Sequence, residues 1–175
     1  MENYVKVVLY AYPILKSVEK DYAEHIKNKA LLSYNNPMTA ENLAVYLAEE
    51  IICKNKLMWL KRAVEKVVDR LSEEEQDLLA ARFFGNKKKT AKRLGTGAAK
   101  TKASPDYAAY ARRYFRKLNK VSEKVGAMLQ CAGFTKEVYL KDFAHLEILK
   151  NVQRVLDKRV KEKAKRKEEK RLHNL

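Results

Sequence analysis

Residues that interrupt regular secondary structure are scarce in this sequence. Its 175 residues include only 5 glycines and 3 prolines, and three of those glycines, Gly85, Gly95 and Gly97, fall close together. Long stretches without either residue favour helices over a sheet. Apolar side chains also recur at intervals of three and four residues, which is the period of an amphipathic helix. The sequence therefore predicts an all-α fold built from several helices.

Long apolar runs and cysteine motifs are missing as well. No run approaches the ~18–20 residues that a membrane span needs. The opening Met1-Glu2-Asn3-Tyr4 lacks the basic start and apolar stretch of a signal peptide. The two cysteines, Cys53 and Cys131, show no motif spacing. We expect a cytoplasmic protein that does not contact membranes, with both cysteines as reduced thiols in the core.

No recognisable catalytic or metal-binding constellation is present. His25, His145 and His173 are far apart in the sequence and have no cysteine or histidine at ligand spacing. The stretch Gly95–Thr101 superficially resembles a phosphate-binding loop, but it lacks the glycine before the lysine and no apolar strand precedes it. The acids Glu73–Glu75 are explained by a helix cap. The sequence thus predicts a protein that is not an enzyme and uses neither a cofactor nor a metal.

Positive charge is concentrated in one part of the chain. The formal net charge is +16, yet residues 1–84 carry a net of −1 and residues 121–175 a net of +6. Residues 85–120 carry 12 basic side chains and one acid, a net of +11. A charge that served only solubility would be spread more evenly. This concentration is typical of a contact with a polyanion, and above all with nucleic acid.

Residues 1–70 are predicted to form two long helices. The first spans about 3–32, with Pro13 as the place where it would kink or restart. The second spans about 40–70, with Thr39 as its N-cap and a break near Lys54-Asn55-Lys56. One apolar stripe of this helix is predicted to be buried, and it consists of Trp59, Leu60, Ala63, Val64, Val67, Val68 and Leu71.

A short helix is predicted to follow, because Ser72 and Glu75 have the spacing of a capping box. It spans about 73–84, and Gly85 can end it. Residues 86–103 are basic and are predicted to form mainly a loop.

Ser104-Pro105 then begins an amphipathic helix over about 105–131, with serine at the N-cap and proline in the first turn. Gly133 ends this helix, and Thr135 can cap the next one. From Asp157 onward nearly every residue is charged, which predicts a tail that is either a solvated helical extension or frayed.

Residues 71–125 resemble part of a known protein family. Leu71-Ser72-Glu73-Glu74-Glu75-Gln76-Asp77-Leu78-Leu79-Ala80-Ala81-Arg82-Phe83-Phe84-Gly85 resembles the opening of the fourth conserved region of bacterial sigma factors. Arg113-Tyr114-Phe115-Arg116 is similar to sigma-like phage transcriptional regulators of Gram-positive bacteria. The resemblance implies a helix-turn-helix in the C-terminal half that contacts promoter DNA and RNA polymerase, with Ser104–Lys120 as its recognition helix.

The chain departs from the sigma pattern in two places. Leu94-Gly95-Thr96 begins the expected turn, but Ser104 follows several residues late. Either the turn carries an insertion, or a basic loop replaces the middle helix. Residues 1–70 show no counterpart of the sigma region that melts the −10 element. A sigma-like regulator therefore fits the sequence better than a free-standing sigma factor.

The predicted DNA contacts lie on the helix that begins at Ser104 and on the loop before it. Arg112 and Arg113 are the candidates for reading base edges, and Ala108 and Ala109 would permit close approach to the groove. Tyr107, Ala111, Tyr114 and Leu118 are predicted to face the core. The remaining candidates would neutralise phosphates, and they are Lys87, Lys88, Lys89, Lys92, Arg93, Lys100, Lys102, Arg116, Lys117 and Lys120.

These features predict a sequence-specific, DNA-binding transcriptional regulator in the bacterial nucleoid. Its expected partners are double-stranded DNA, with RNA polymerase and a second copy of the chain as further candidates. The expected regions are an N-terminal helical region (1–70), the sigma-like unit (71–131) and a C-terminal helix with a basic tail (132–175). Two other functions stay open on the sequence: an RNA-binding protein, and a helical scaffold or assembly protein with a basic surface.

Overall fold

The computed structural model describes residues 2–32, 39–84 and 105–172, and most of them are helical. The elements in chain order are α1 (Asn3–Leu32), α2 (Ala40–Asp69), α3 (Glu73–Arg82), α4 (Pro105–Cys131), α5 (Lys136–Val138), a π-helix (Tyr139–Phe143) and α6 (Glu147–Leu172). Within these ranges there is no strand. The predicted all-α class is therefore confirmed.

Helices α1 and α2 form the most extensive contact between two elements, and each is continuous. The predicted restart at Pro13 does not occur, because Leu9 and Leu15 on either side of it are fully buried in the same core. That burial offsets the one backbone hydrogen bond that a proline removes. The predicted break near Lys54–Lys56 is also wrong, since α2 runs uninterrupted through these residues, and Cys53 before them and Leu57 after them both pack in the core.

One hydrophobic core joins the helices. It draws on α1, α2, α3, α4 and α6, and each of these contributes a side chain with no exposed area: Leu9, Leu60, Leu79, Leu129 and Leu149. All three regions expected from the sequence thus contribute to this single core. Burial of that many apolar side chains is the main source of stability here.

Phe134 is the centre of an aromatic cluster in the core. It is fully buried, and its ring centroid lies 5.4 Å from that of Phe143, 5.8 Å from that of Tyr4 and 6.1 Å from that of Trp59. These separations are those of favourable aromatic pairs. The cluster joins the start of α1, the middle of α2 and the segment after α4.

Two residues expected in the core are exposed. Trp59 is 43% exposed, because it lies at the edge of the buried apolar face of α2 and contacts Phe134 and Phe143 from the outside. Cys131, the last residue of α4, is exposed, whereas Cys53 is half-buried. Both are free thiols, so the core location was wrong for Cys131.

The predicted helix caps are confirmed wherever the structure describes them. Thr39 and Thr135 each accept a hydrogen bond from a backbone N–H of the following helix. Glu75 N–H donates to Ser72 Oγ at 3.4 Å, and Ser72 N–H donates to Glu75 Oε2 at 3.0 Å. Gly133 follows α4 with φ of 86°, the left-handed conformation that favours glycine.

The charged tail forms a solvated helical extension. Leu156 is the last buried residue among the described side chains of α6, and the side chains of residues 157–166 are exposed. The helix continues to Leu172, about 24 Å beyond Leu156 at 1.5 Å per residue. Among the residues described, no helix is both long and apolar enough to cross a membrane.

Candidate nucleic-acid interface

Helix α4 has one face in the core. Leu118, Val121, Val125 and Leu129 are buried there, at spacings of three and four residues that place them on one side of a helix. Tyr114 is half-buried and packs against the same core. This agrees with its predicted packing role, and it fixes which side of α4 faces outward.

The outward side of α4 is basic. Arg112, Arg113, Arg116 and Lys120 are all exposed, and we call these four residues the basic stripe. Between residues 111 and 131 the only acid is Glu123. Since the opposite face is held in the core, these cations are presented over about two turns of a helix rather than on a loop.

Two further lysines of α4 are engaged by α3. Lys117 Nζ lies 2.6 Å from Glu74 Oε1, and Lys124 Nζ lies 2.9 Å from Glu75 Oε2. The hydrogen bond from Lys124, followed by that from the Ser72 N–H, lowers the pKa of the Glu75 carboxyl. The predicted phosphate contact of Lys117 would therefore compete with an existing ion pair.

These ion pairs connect the first turn of α3 to the middle of α4. Glu75 has two roles. Its carboxylate accepts a hydrogen bond from the Ser72 N–H, which caps α3, and another from Lys124 Nζ. Helices α3 and α4 are also in direct contact. Helices α3 and α4 thus form one packed unit.

Phe115 is an exposed aromatic residue beside the basic stripe. Half of its surface is exposed, and its ring packs against that of Tyr114 at a centroid distance of 5.4 Å. Sequence reasoning gave Phe115 no role of its own. Its position could have indicated such a role, because Phe115 lies three residues before Leu118 and directly before Arg116. This places it at the border between the buried face and the basic face of α4. An apolar side chain there can contact a thymine methyl group.

Several predicted site residues lie outside what the structure describes. Ala108 and Ala109 belong to α4, as does Tyr107, but their side chains are not described. The others lie between α3 and α4, outside the described residues: Lys87, Lys88, Lys89, Lys92, Arg93, Lys100, Lys102 and Ser104.

The described parts of the chain offer few side chains for metal binding or catalysis. Within them, no group of three or more His, Cys, Asp and Glu side chains could hold a metal ion. His25 shares a hydrogen bond with the Tyr46 hydroxyl at 3.1 Å, and His145 is exposed.

No protein-family model, curated protein or solved structure matches the chain. The basic stripe and the helix pair that supports it are therefore the observations on which a function can be based.

Proposed function

We propose that the protein is a sequence-specific DNA-binding transcriptional regulator and not an enzyme. The observation that carries this proposal is the basic stripe, which lies on the outward face of a helix whose other face is buried. An α-helix fits the major groove of duplex DNA, where arginine can donate two hydrogen bonds to a guanine edge. The basic residues 87–102 precede the same helix in the sequence.

The N-terminal half of the stripe is the part we assign to base reading. A helix-turn-helix presents the N-terminal residues of its recognition helix to base edges, and Arg112 and Arg113 occupy that half of the stripe. Arg116 and Lys120 lie one and two turns further along, and we assign them to phosphates. The contact between α3 and α4 supports the idea of a two-helix unit that approaches DNA as one body.

The resemblance to sigma factors supports RNA polymerase as a second partner and the bacterial nucleoid as the location. The residues that carry it include Ser72 and Glu75, which form the capping box that their spacing predicts. The exposed Glu74 at the start of α3 is available to a polymerase surface only in part, because it already pairs with Lys117.

The test is to select binding sites from a random duplex pool with the wild type, Arg112→Ala, Arg113→Ala and Lys120→Ala. Replacement of either base-reading arginine by alanine should weaken binding to the preferred site by about 1–3 kcal/mol and relax the sequence preference at one position. Lys120→Ala should weaken binding to all sequences to a similar extent and leave the preference unchanged. If both arginine variants keep the complete wild-type preference, the assignment of base reading to α4 is wrong.

Competition experiments separate this function from its two rivals. An unlabelled duplex DNA should displace the labelled duplex, whereas single-stranded and double-stranded RNA should compete at least about tenfold less well. A stronger competition by RNA would favour an RNA-binding protein. Undiminished DNA binding after neutralisation of the lysines and arginines in residues 85–120 would favour a scaffold whose charge serves solubility.

A further inference from the structure

The exposed side of α2 changes its charge from one end of the helix to the other. Between Thr39 and Cys53 the only charged residues are acids: Glu41, Glu49 and Glu50. In the last third and at the C-cap that follows it, the exposed charged residues at intervals of four are cations: Arg62, Lys66 and Arg70. The acids of that last third, Glu65 and Asp69, are near Tyr12 of α1, where they help to raise the pKa of its hydroxyl to about 12 after burial itself.

A single stripe of exposed residues runs along the whole of α2. Its members follow one another at spacings of three and four, as positions on one side of a helix do. All nine are exposed: Glu41, Val45, Ala48, Ile52, Asn55, Trp59, Arg62, Lys66 and Arg70. We call this set the α2 stripe. Its middle is apolar, and Val45, Ile52 and Trp59 are 59%, 54% and 43% exposed.

The basic half of the α2 stripe borders a groove. A hollow of about 780 Å³ lies between α2 and α4. Its apolar lining includes Trp59, Val67 and Met128. Its charged lining residues are Arg62, Lys66 and Arg70, and no carboxylate is among them. Within the described residues these three cations form no ion pair. A helix with small apolar residues and acids fits such a groove.

We propose that the occupant of this groove is the acidic half of α2 from a second copy of the chain. The two α2 helices would lie antiparallel around a two-fold axis near Asn55. Glu41 of one copy then lies near Lys66 and Arg70 of the other. Ala48 of one copy lies near Trp59 of the other, so that a small side chain meets a large one. Both contacts occur twice, as a two-fold interface requires.

The stripe itself distinguishes a second copy from other partners. A foreign acidic helix would use the basic half and leave the exposed Val45 and Ile52 of the other half without a partner. A nucleic acid would fit the cations but not the apolar lining around Trp59 and Val67. A parallel pair of α2 helices would place acid against acid and cation against cation. Antiparallel self-association uses both halves at once.

The first measurement is the oligomeric state of the complete chain by sedimentation velocity, from about 1 to 100 µM, the range in which weak specific dimers form. Trp59 is the only tryptophan in the sequence, so its fluorescence reports on this surface alone. We expect a dimer, with an emission shift to shorter wavelength and weaker quenching by iodide as the concentration rises. A monomer throughout this range would overturn the proposal.

Charge reversal tests the antiparallel arrangement. Arg62→Glu with Lys66→Glu should raise the dimer Kd at least about 100-fold, and so should Glu41→Lys with Glu49→Lys, because each variant opposes like charges. An equimolar mixture of the two variants should dimerise again, since each now complements the other. A mixture that stays monomeric, or a single variant that stays dimeric, would overturn the proposal.

A matched control uses two exposed lysines on α6. Lys161→Glu with Lys165→Glu makes the same change in net charge away from α2 and should leave the dimer Kd within about threefold of wild type, as expected for a rim or remote charge. An equal loss of dimer in this control would contradict a specific role for α2. The proposal does not rest on DNA binding, because all of these readouts are made without DNA. A monomeric variant can still be titrated with duplex to test the basic stripe.

Discussion

The exposed faces of α2 and α4 belong to helices of similar length but carry charge in different ways. The basic stripe of α4 has one sign, from Arg112 to Lys120. The α2 stripe begins with Glu41, passes through apolar residues and ends with Lys66 and Arg70. A face with one sign repels a copy of itself and attracts a polyanion. A face whose sign changes from end to end attracts an antiparallel copy of itself. The difference assigns the two faces to different partners.

The two helices are also held differently. Helix α2 packs along most of its length against α1, whereas α4 makes smaller contacts with α2 and with α3. Two ion pairs with α3 add to those contacts, and Gly126 lies near Val5 of α1. The direction in which the basic stripe points therefore depends on a few identifiable positions, and these can be tested one at a time.

The largest expected contrast between the two faces is in their response to salt. DNA binding through about four to six phosphate contacts should weaken about 100- to 2,000-fold between 50 and 200 mM salt. Self-association through α2 should weaken less than about tenfold over the same range, because apolar burial around Trp59 is less sensitive to salt. Titrations of labelled duplex and sedimentation at matched salt concentrations measure both. Equal salt responses would contradict the assignment of different partners.

A second contrast concerns two glycines at the C-terminal end of α4. Gly133→Ala should destabilise the fold by about 1–2 kcal/mol, because its φ of 86° is unfavourable for other residues. Gly126→Ala should instead stabilise it by roughly 0.5–1 kcal/mol, since alanine is the better helix former. The added Cβ would lie 3.6 Å from Val5 Cγ2, an ordinary contact. Urea denaturation measures both changes. The same sign for both variants would contradict a left-handed Gly133 after α4 or an ordinary helical position for Gly126.

The smallest expected effect separates the two acids that contact α4. Glu75→Gln should cost about 0.5–1 kcal/mol at neutral pH, because the carboxylate both caps α3 and pairs with Lys124. Glu74→Gln is the control and should cost less than about 0.5 kcal/mol, since its pair with Lys117 is exposed.

The Glu75 effect should depend on pH in one direction. The folded protein lowers the pKa of Glu75, so its contribution is present above the ordinary glutamate pKa and is lost as pH falls through the lowered value. The stability difference between wild type and Glu75→Gln should therefore shrink at acidic pH. A difference that grows on acidification would show that the carboxylate is not stabilised in the folded state.

Local signals in the sequence predicted the helices and their caps well. Ser72 with Glu75 and the glycine after α4 act through their own neighbours in the chain, so their roles can be deduced without the fold. Leu118 and Tyr114 were correctly placed toward the core because a helix with a clear apolar period can be buried in only one way. The extent of α6 beyond Leu156 followed less clearly, since a charged tail fits both a helix and a frayed end.

Features that depend on neighbouring helices could not be predicted. Trp59 has the spacing of a buried residue. How much of it is covered depends on Phe134 and Phe143, which lie far away in the sequence and cover only part of its ring. The pairing of Lys117 with Glu74 joins residues that are 43 positions apart. The π-helix at Tyr139–Phe143 departs from the ordinary helical period where two of its aromatic residues enter the core. In each case, tertiary packing decides the outcome.

The central claim is that the basic stripe is where the protein meets DNA. The most direct measurement compares the affinities of three proteins for a random-sequence duplex at one salt concentration. They are the wild type, an α4 variant with Arg112, Arg113 and Arg116 changed to Ala, and an α6 variant with Lys158, Lys161 and Lys165 changed to Ala. Both variants remove the same net charge. We predict that the α4 variant loses at least about 100-fold in affinity and the α6 variant less than about tenfold. Equal losses, or a larger loss for the α6 variant, would contradict the claim.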